Sequence, residues 1–187
     1  MLRQSEKTVK FTFAGRLTKE KGILLALEAF DGVAEKYDNV ELDIAGDGPL
    51  MDKVREKCAK NAKFHVLGTL NHDELMKLLA GTSVFLNPSF ADAMPTSMLE
   101  AGIMKCALVG TKVGGIPEII IDDEHGRLCE VNAESVREAM EYYIDNPEKI
   151  KEHGKNAHEY IIKECVWDKT AKDVIKALEE AEHEKNS

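Results

Sequence analysis

Long apolar runs are missing from this chain of 187 residues. Nothing in it approaches the ~20 consecutive apolar residues that a bilayer-spanning helix needs. The stretch Met1-Leu2-Arg3-Gln4-Ser5-Glu6-Lys7 is polar and lacks the apolar core of a signal peptide. There are only four cysteines, Cys58, Cys106, Cys129 and Cys165, and no C-x-x-C pair among them. That spacing argues against a zinc ribbon or a redox pair, and for reduced thiols packed as small hydrophobes in a cytosolic setting. Positive charge is also in deficit: the formal net charge is −9, which disfavours nucleic acid or an anionic membrane as a general partner. Repeats, low-complexity segments and linkers are not visible, and no Ser-His-Asp or Cys-His arrangement suggests a hydrolase. No Asp-x-Asp pair stands ready to chelate a diphosphate-bound metal. Asp122-Asp123-Glu124-His125 reads as a solvated turn rather than a cation site.

What remains is an ordinary folded composition, 43% hydrophobic and 32% charged, with enough length for one domain and a substantial core. Short apolar strands alternate with helical periodicity. Val9 to Gly15 reads as a strand, and Ile23, Ala26, Leu27, Phe30, Val33 and Ala34 mark a helix ending near Tyr37. Val40 to Ala45 is the next strand, with Pro49 expected at the first position of a helix reaching about Lys60. Phe64 to Leu67 is a third strand, and Asp73 to Ala80 a short helix. Val84 to Leu86 and Ala107 to Gly110 continue the strands, and helices are expected to open near Thr96 and at Pro117. Arg127 to Cys129 is a last strand. Three further helices are expected: one around Val136 to Ile144, one from Pro147, and a final one from Trp167 to about Glu180. This alternation predicts an α/β fold, a Rossmann-like parallel sheet with helices on both faces. Ligands of such sheets bind at the C-terminal strand ends, where the strand order reverses. Arg16, Gly46, Gly68, Ser89 and Gly110 all fall at or just past those ends.

The densest concentration of signals runs from Ser89 to Glu118. Two strands there each deliver a loop to a helix start, and a helix start carries unpaired N–H groups suited to a phosphate. Arg16 and Lys21 follow the first strand and could together hold a diphosphate, though two surface cations also suit a solvated patch. Glu100 lies three residues after Ser97, the spacing of a helix capping box, in which the carboxylate reaches back to the N-cap N–H. Asp92 falls in a loop, where Asp commonly forms turns. Gly114-Gly115 suits either a plain turn or a close backbone approach to a ligand. Gly46-Asp47-Gly48 begins like a dinucleotide fingerprint, but Met51 stands where the third glycine would be, so a nicotinamide-dependent oxidoreductase is poorly supported.

S-F-A-D-A-M-P-T-S-M-L-E-A, read with Phe13-Ala14-Gly15-Arg16-Leu17, Lys21-Gly22, Ile44-Ala45-Gly46-Asp47-Gly48-Pro49 and Gly114-Gly115-Ile116-Pro117-Glu118, resembles the donor-binding half of family 4 (group 1) glycosyltransferases. These are retaining enzymes of the GT-B fold. The resemblance covers nearly the whole chain and implies a nucleotide-sugar-binding domain over residues 1–187. It implies that residues 165–187 brace an acceptor-binding N-terminal domain that this chain does not include. It further implies transfer of a hexose-type sugar from a nucleotide diphosphate to a glycan or lipid acceptor, without a cofactor or metal. Cytoplasmic localisation follows, with peripheral membrane attachment open for the full-length enzyme.

Carried over residue by residue, Arg16, Lys21 and Asp92 would be catalytic. Gly15, Gly46, Thr96, Ser97, Glu100, Gly114 and Gly115 would hold the donor, with Glu100 on the ribose hydroxyls. Two positions depart from the pattern. Asp92 replaces a glutamate and is one methylene shorter, and Lys105 stands where a helix-ending glycine is usual. The isolated domain is expected to bind donor without turnover. The alternative is a non-catalytic nucleotide-sugar-binding module or partner subunit diverged from that family.

Overall fold

The computed structural model describes residues 8–165; the expected helix from Trp167 onward and the polar N-terminal stretch lie outside the described residues. Six strands form one parallel sheet in the order β3-β2-β1-β4-β5-β6. They are β1 (Val9–Ala14), β2 (Val40–Ala45), β3 (Phe64–Gly68), β4 (Val84–Asn87), β5 (Ala107–Thr111) and β6 (Gly126–Cys129). Among the described residues, seven helices connect or follow them: α1 (Ile23–Lys36), α2 (Met51–Cys58), α3 (His72–Ala80), α4 (Thr96–Ile103), α5 (Ile116–Ile119), α6 (Ala133–Asp145) and α7 (Pro147–Glu164). Among the described residues, no helix is long and apolar enough to cross a membrane.

The central strands β4 and β5 are buried along their whole length because helices cover both faces of the sheet there, whereas β1 and β2 alternate apolar with polar or half-buried residues. Phe11, Phe13, Val84, Leu86, Ala107 and Val109 face one layer, which holds α1, α2 and α6. Phe85 and Leu108 face the other, with Leu79 of α3, Met98 and Ala101 of α4, Ile116 and Ile119 of α5, and Ala157 and Ile161 of α7. Phe30 of α1 has no solvent exposure and meets Phe11 and Phe64 edge-on at 6.1 and 4.9 Å. Truncating a ring so placed typically costs about 3–5 kcal/mol.

The strand order makes the crevice. β1 pairs with β2 over six positions, from Val9–Val40 to Ala14–Ala45. With β4 it pairs only at Phe11–Val84 and Thr12–Phe85. Chain connections leave β1 and β4 in opposite directions across the sheet, so the two C-terminal ends part between them, the usual place for a ligand in this architecture.

Two local expectations are corrected. Pro49 belongs to the turn before α2 rather than to its first position, and the helix begins at Met51. The Ser97-Glu100 capping box does not form: the N-cap of α4 is Pro95 and no side chain caps it. A proline carbonyl can accept the first helical bonds, and Pro95 does so from Met98 and Leu99. Ser97 therefore already lies inside the helix, and Glu100 is too far along to reach back. A true capping box sits on α3, where Asn71 Oδ1 accepts from the Glu74 N–H at 3.0 Å and Glu74 Oε2 from the Asn71 N–H at 2.9 Å.

Candidate active site in the β1–β4 crevice

The loop after β1 is tied to its neighbours by backbone contacts that continue the strand ladder. The Gly15 N–H donates to the Ala45 carbonyl and the Leu17 N–H to the Asp47 carbonyl. Gly46 has φ 133°, and a Cβ there would lie 1.9 Å from the Gly15 carbonyl oxygen, so only glycine permits the approach. On the other side, the Phe90 N–H donates to the Glu20 carbonyl at 2.7 Å. Gly22 has φ 71°, and a Cβ there would lie 1.8 Å from the Pro88 carbonyl oxygen. These contacts fix Lys21 beside the loop that follows β4.

Lys21 Nζ sits 2.8 Å from Asp92 Oδ2, and the Asp92 side chain is only 6% exposed. The carboxylate faces a cavity of about 200 Å³ lined by Phe13, Gly15, Lys21, Asn87, Thr96 and Ser97, among others. Asp92 is thus a buried, paired carboxylate, not a solvated turn former. The first turn of α4 opens onto the same cavity. With no side-chain cap on this helix, its leading N–H groups remain available to an anion, and the helix dipole adds a partial positive charge.

A second lobe of about 380 Å³ adjoins the first, sharing Ala14, Gly15 and Ser97. Arg16, Gly46, Asp47, Thr69, Leu70 and Leu75 line it as well. Arg16 is exposed there and makes no ion pair or side-chain hydrogen bond among the described residues. The two cations therefore differ: Lys21 is already engaged by Asp92, and Arg16 is unengaged.

Glu100 lies one turn along α4 from Thr96 and lines neither lobe. Its Oε1 is 3.6 Å from His72 Nδ1, at the start of α3. Gly114 and Gly115 serve a different purpose from lining the crevice. The Gly115 N–H donates to the Asp92 carbonyl at 2.9 Å. A Cβ on Gly114, which has φ 51°, would lie 1.9 Å from the Asp92 carbonyl oxygen, and one on Gly115 would lie 2.2 Å from that of Ala93. The two glycines seat the Asp92 loop against the start of α5, which lines neither lobe of the crevice. The structure thus brings Gly15, Arg16, Lys21, Gly46, Asp92, Thr96 and Ser97 together, and places Glu100, Gly114 and Gly115 around their edge.

Sequence reasoning places Ser89 on the strand-end rim but passes over Asn87 and Thr111 beneath Asp92. Asn87 and Ser89 are 5% and 0% exposed, and Thr111, also 0% exposed, donates its hydroxyl to the Ser89 carbonyl. The available signal is a polar residue closing each of two fully apolar strands, Asn87 on β4 and Thr111 on β5. All four cysteines are free, and burial pushes Cys58 up to about 11 and Cys106 and Cys129 up to about 12, which disfavours their thiolates.

Comparison with known proteins agrees with this fold. The family described as Glycosyl transferases group 1 matches residues 2–160. A phosphatidylinositol N-acetylglucosaminyltransferase subunit from Arabidopsis thaliana is 29% identical over 167 residues, covering 85% of this chain and 37% of the relative. The crystal structure of the C-terminal domain of a group 1 glycosyl transferase, LpcC from Francisella tularensis, superposes with a TM-score of 0.79 at 21% identity, covering 86% of this chain and 88% of that one. TarM from S. aureus, solved with UDP among its ligands, gives 0.82 at 21%, covering 92% of this chain and 36% of that one. The chain spans between 24% and 37% of the length of three of the curated relatives it matches.

Proposed function

The chain belongs to the group 1 glycosyl transferases, and on that premise we propose that the β1–β4 crevice binds a nucleoside diphosphate sugar and serves a retaining glycosyl transfer. The observation that carries this reading is the convergence of three features on one cavity: the uncapped start of α4, the Lys21 ammonium and the buried Asp92 carboxylate. The diphosphate lies against the N–H groups of Thr96 and Ser97, with Lys21 and Arg16 on either side. The sugar extends toward Asp92, and the nucleoside occupies the more apolar lobe beside Gly46, Leu70 and Leu75, with its ribose toward Glu100.

As the bond between the anomeric carbon and the leaving phosphate oxygen breaks, negative charge grows on the diphosphate. Fixed cations and helix N–H groups stabilise that charge more than they stabilise the ground state, which lowers the barrier. Arg16 supplies a planar fork of donors and Lys21 a mobile point charge. They take the role that a chelated metal plays elsewhere, so transfer is independent of added divalent cation.

The acceptor, a glycan or lipid, is held by a facing N-terminal domain. The loop bearing Asp92 presents Phe90 and Met94 to solvent at 55% and 63% exposure, apolar surface suited to such a partner. Calorimetric titration of the purified chain with uridine, guanosine and adenosine diphosphates tests the reading. One of them is expected to bind at micromolar affinity, weakened at least tenfold in Lys21→Ala. Absence of binding by all three would overturn it.

A further inference from the structure

We infer that Asn87 and Ser89 are positioning residues that set the Asp92 carboxylate for the donor sugar. The Ser89 hydroxyl donates to Asn87 Oδ1, which fixes the amide so that its Nδ2 faces Asp92 Oδ2 at 3.4 Å. The opposite amide orientation would set two acceptor oxygens against each other. Ser89 Oγ itself lies 3.4 Å from the same Asp92 oxygen, but its single proton is committed to the shorter bond with Asn87. Lys21 Nζ approaches Oδ2 as well. Oδ2 therefore collects every donor that reaches this carboxylate, and Oδ1 takes no hydrogen bond from the described residues.

That asymmetry has a consequence for recognition. A carboxylate held by one oxygen presents the other in a fixed direction, and an aspartate has one torsion fewer than a glutamate with which to adapt. Oδ1 is left to accept a sugar hydroxyl. Thr111 holds the Ser89 main chain from β5, so the set is anchored on two adjacent strands. This inference rests on the donor-site reading above.

The test compares each nucleoside diphosphate with its glucose conjugate by calorimetry, in the wild-type chain and in Ser89→Ala and Asn87→Ala, with thermal melts alongside. The nucleotide that binds the wild type sets the pair. In the wild type the conjugate is expected to bind more tightly than the bare diphosphate. In either variant that advantage falls about tenfold, the scale of a lost hydrogen bond to a charged group, and in Ser89→Ala, whose site lies beneath the cavity lining, affinity for the bare diphosphate stays within about twofold. Parallel loss of both affinities, or melting-point loss with the advantage intact, would mean that Asn87 and Ser89 only stabilise the fold, and would overturn the inference. A wild-type chain that binds the diphosphate but gains nothing from the sugar would overturn it too. A wild type that binds neither ligand would overturn the donor-site reading and this assignment with it. Ser89→Ala removes a single oxygen and keeps the test open if Asn87→Ala does not fold.

Discussion

At the scale of single residues, Glu100 and Lys105 are where sequence and structure inform each other most. Two roles compete for Glu100, helix capping and ribose binding, and the Pro95 N-cap removes the first. The predicted pattern is therefore sharp. Glu100→Gln should weaken the nucleotide about tenfold, since a hydrogen bond to a charged group contributes about 1.5–3 kcal/mol. Ser97→Ala should leave the melting temperature within about 1 °C, because no cap of about 1 kcal/mol is lost. Unchanged nucleotide affinity in Glu100→Gln would remove Glu100 from the site.

Lys105 has φ 64° and occupies the left-handed position that ends α4. Its N–H donates to the Gly102 carbonyl and that of Cys106 to the Ala101 carbonyl, the two bonds of a Schellman motif. A lysine there is strained by about 1–2 kcal/mol, partly offset by the lower unfolded-state entropy of a non-glycine residue. Lys105→Gly should thus raise stability by about 0.5–1 kcal/mol, measured as a urea midpoint. A destabilised variant would show that the lysine side chain makes up the strain.

At the scale of elements, strands are easier to read than helix ends. Apolar runs in β4 and β5 and apolar/polar alternation in β1 and β2 leave a strong trace, and β1 through β6 lie close to where the pattern puts them. Helix starts are displaced where backbone geometry, not side-chain type, decides them: Pro49 is not a first helical residue, and Ser97 is not a cap. The glycine pair at 114–115 is legible as a special backbone position, but which backbone it approaches depends on a contact between distant loops. The Asn87–Ser89–Asp92 set is hidden for the same reason, because hydrogen bonds among buried polar groups leave no periodicity.

The packing of α6 on α7 adds a pH dependence. His153 is fully buried, with its Nδ1 2.9 Å from the Tyr143 hydroxyl, and burial, aided by Lys149, pushes its pKa down. Burial also lowers that of His125, which packs on Tyr160. An unfolded histidine takes its proton near a pH of about 6.5. Below that pH the unfolded chain holds more protons than the folded one, so stability falls as pH drops, by up to about 1.4 kcal/mol per pH unit for each group. Urea midpoints at about pH 7.5 and about pH 5.5, on either side of that value, should show this loss. It should be smaller in His153→Gln, which keeps an acceptor for Tyr143. An identical slope in the variant would exclude His153 as a source.

At the scale of the whole molecule, the proposed function makes the chain one wall of a cleft. The parallel sheet and its crevice are readable from the alternation of elements, and the family from four motif blocks in order. In that proposal the acceptor is held by a separate facing domain, and catalysis needs both reactants held together, a large part of the barrier reduction. The purified chain should therefore bind donor but transfer no sugar to glycan or lipid acceptors. Robust transfer by the monomer would refute that division of labour.

The central claim is that the β1–β4 crevice is the donor site, and a crystal structure of the chain with the nucleoside diphosphate that binds it tests this most directly. The account predicts the diphosphate at the first turn of α4, against the N–H groups of Thr96 and Ser97, with Lys21 within hydrogen-bonding distance and the ribose on the Glu100 side. A nucleotide bound elsewhere on the molecule, with this crevice filled only by water, would contradict it.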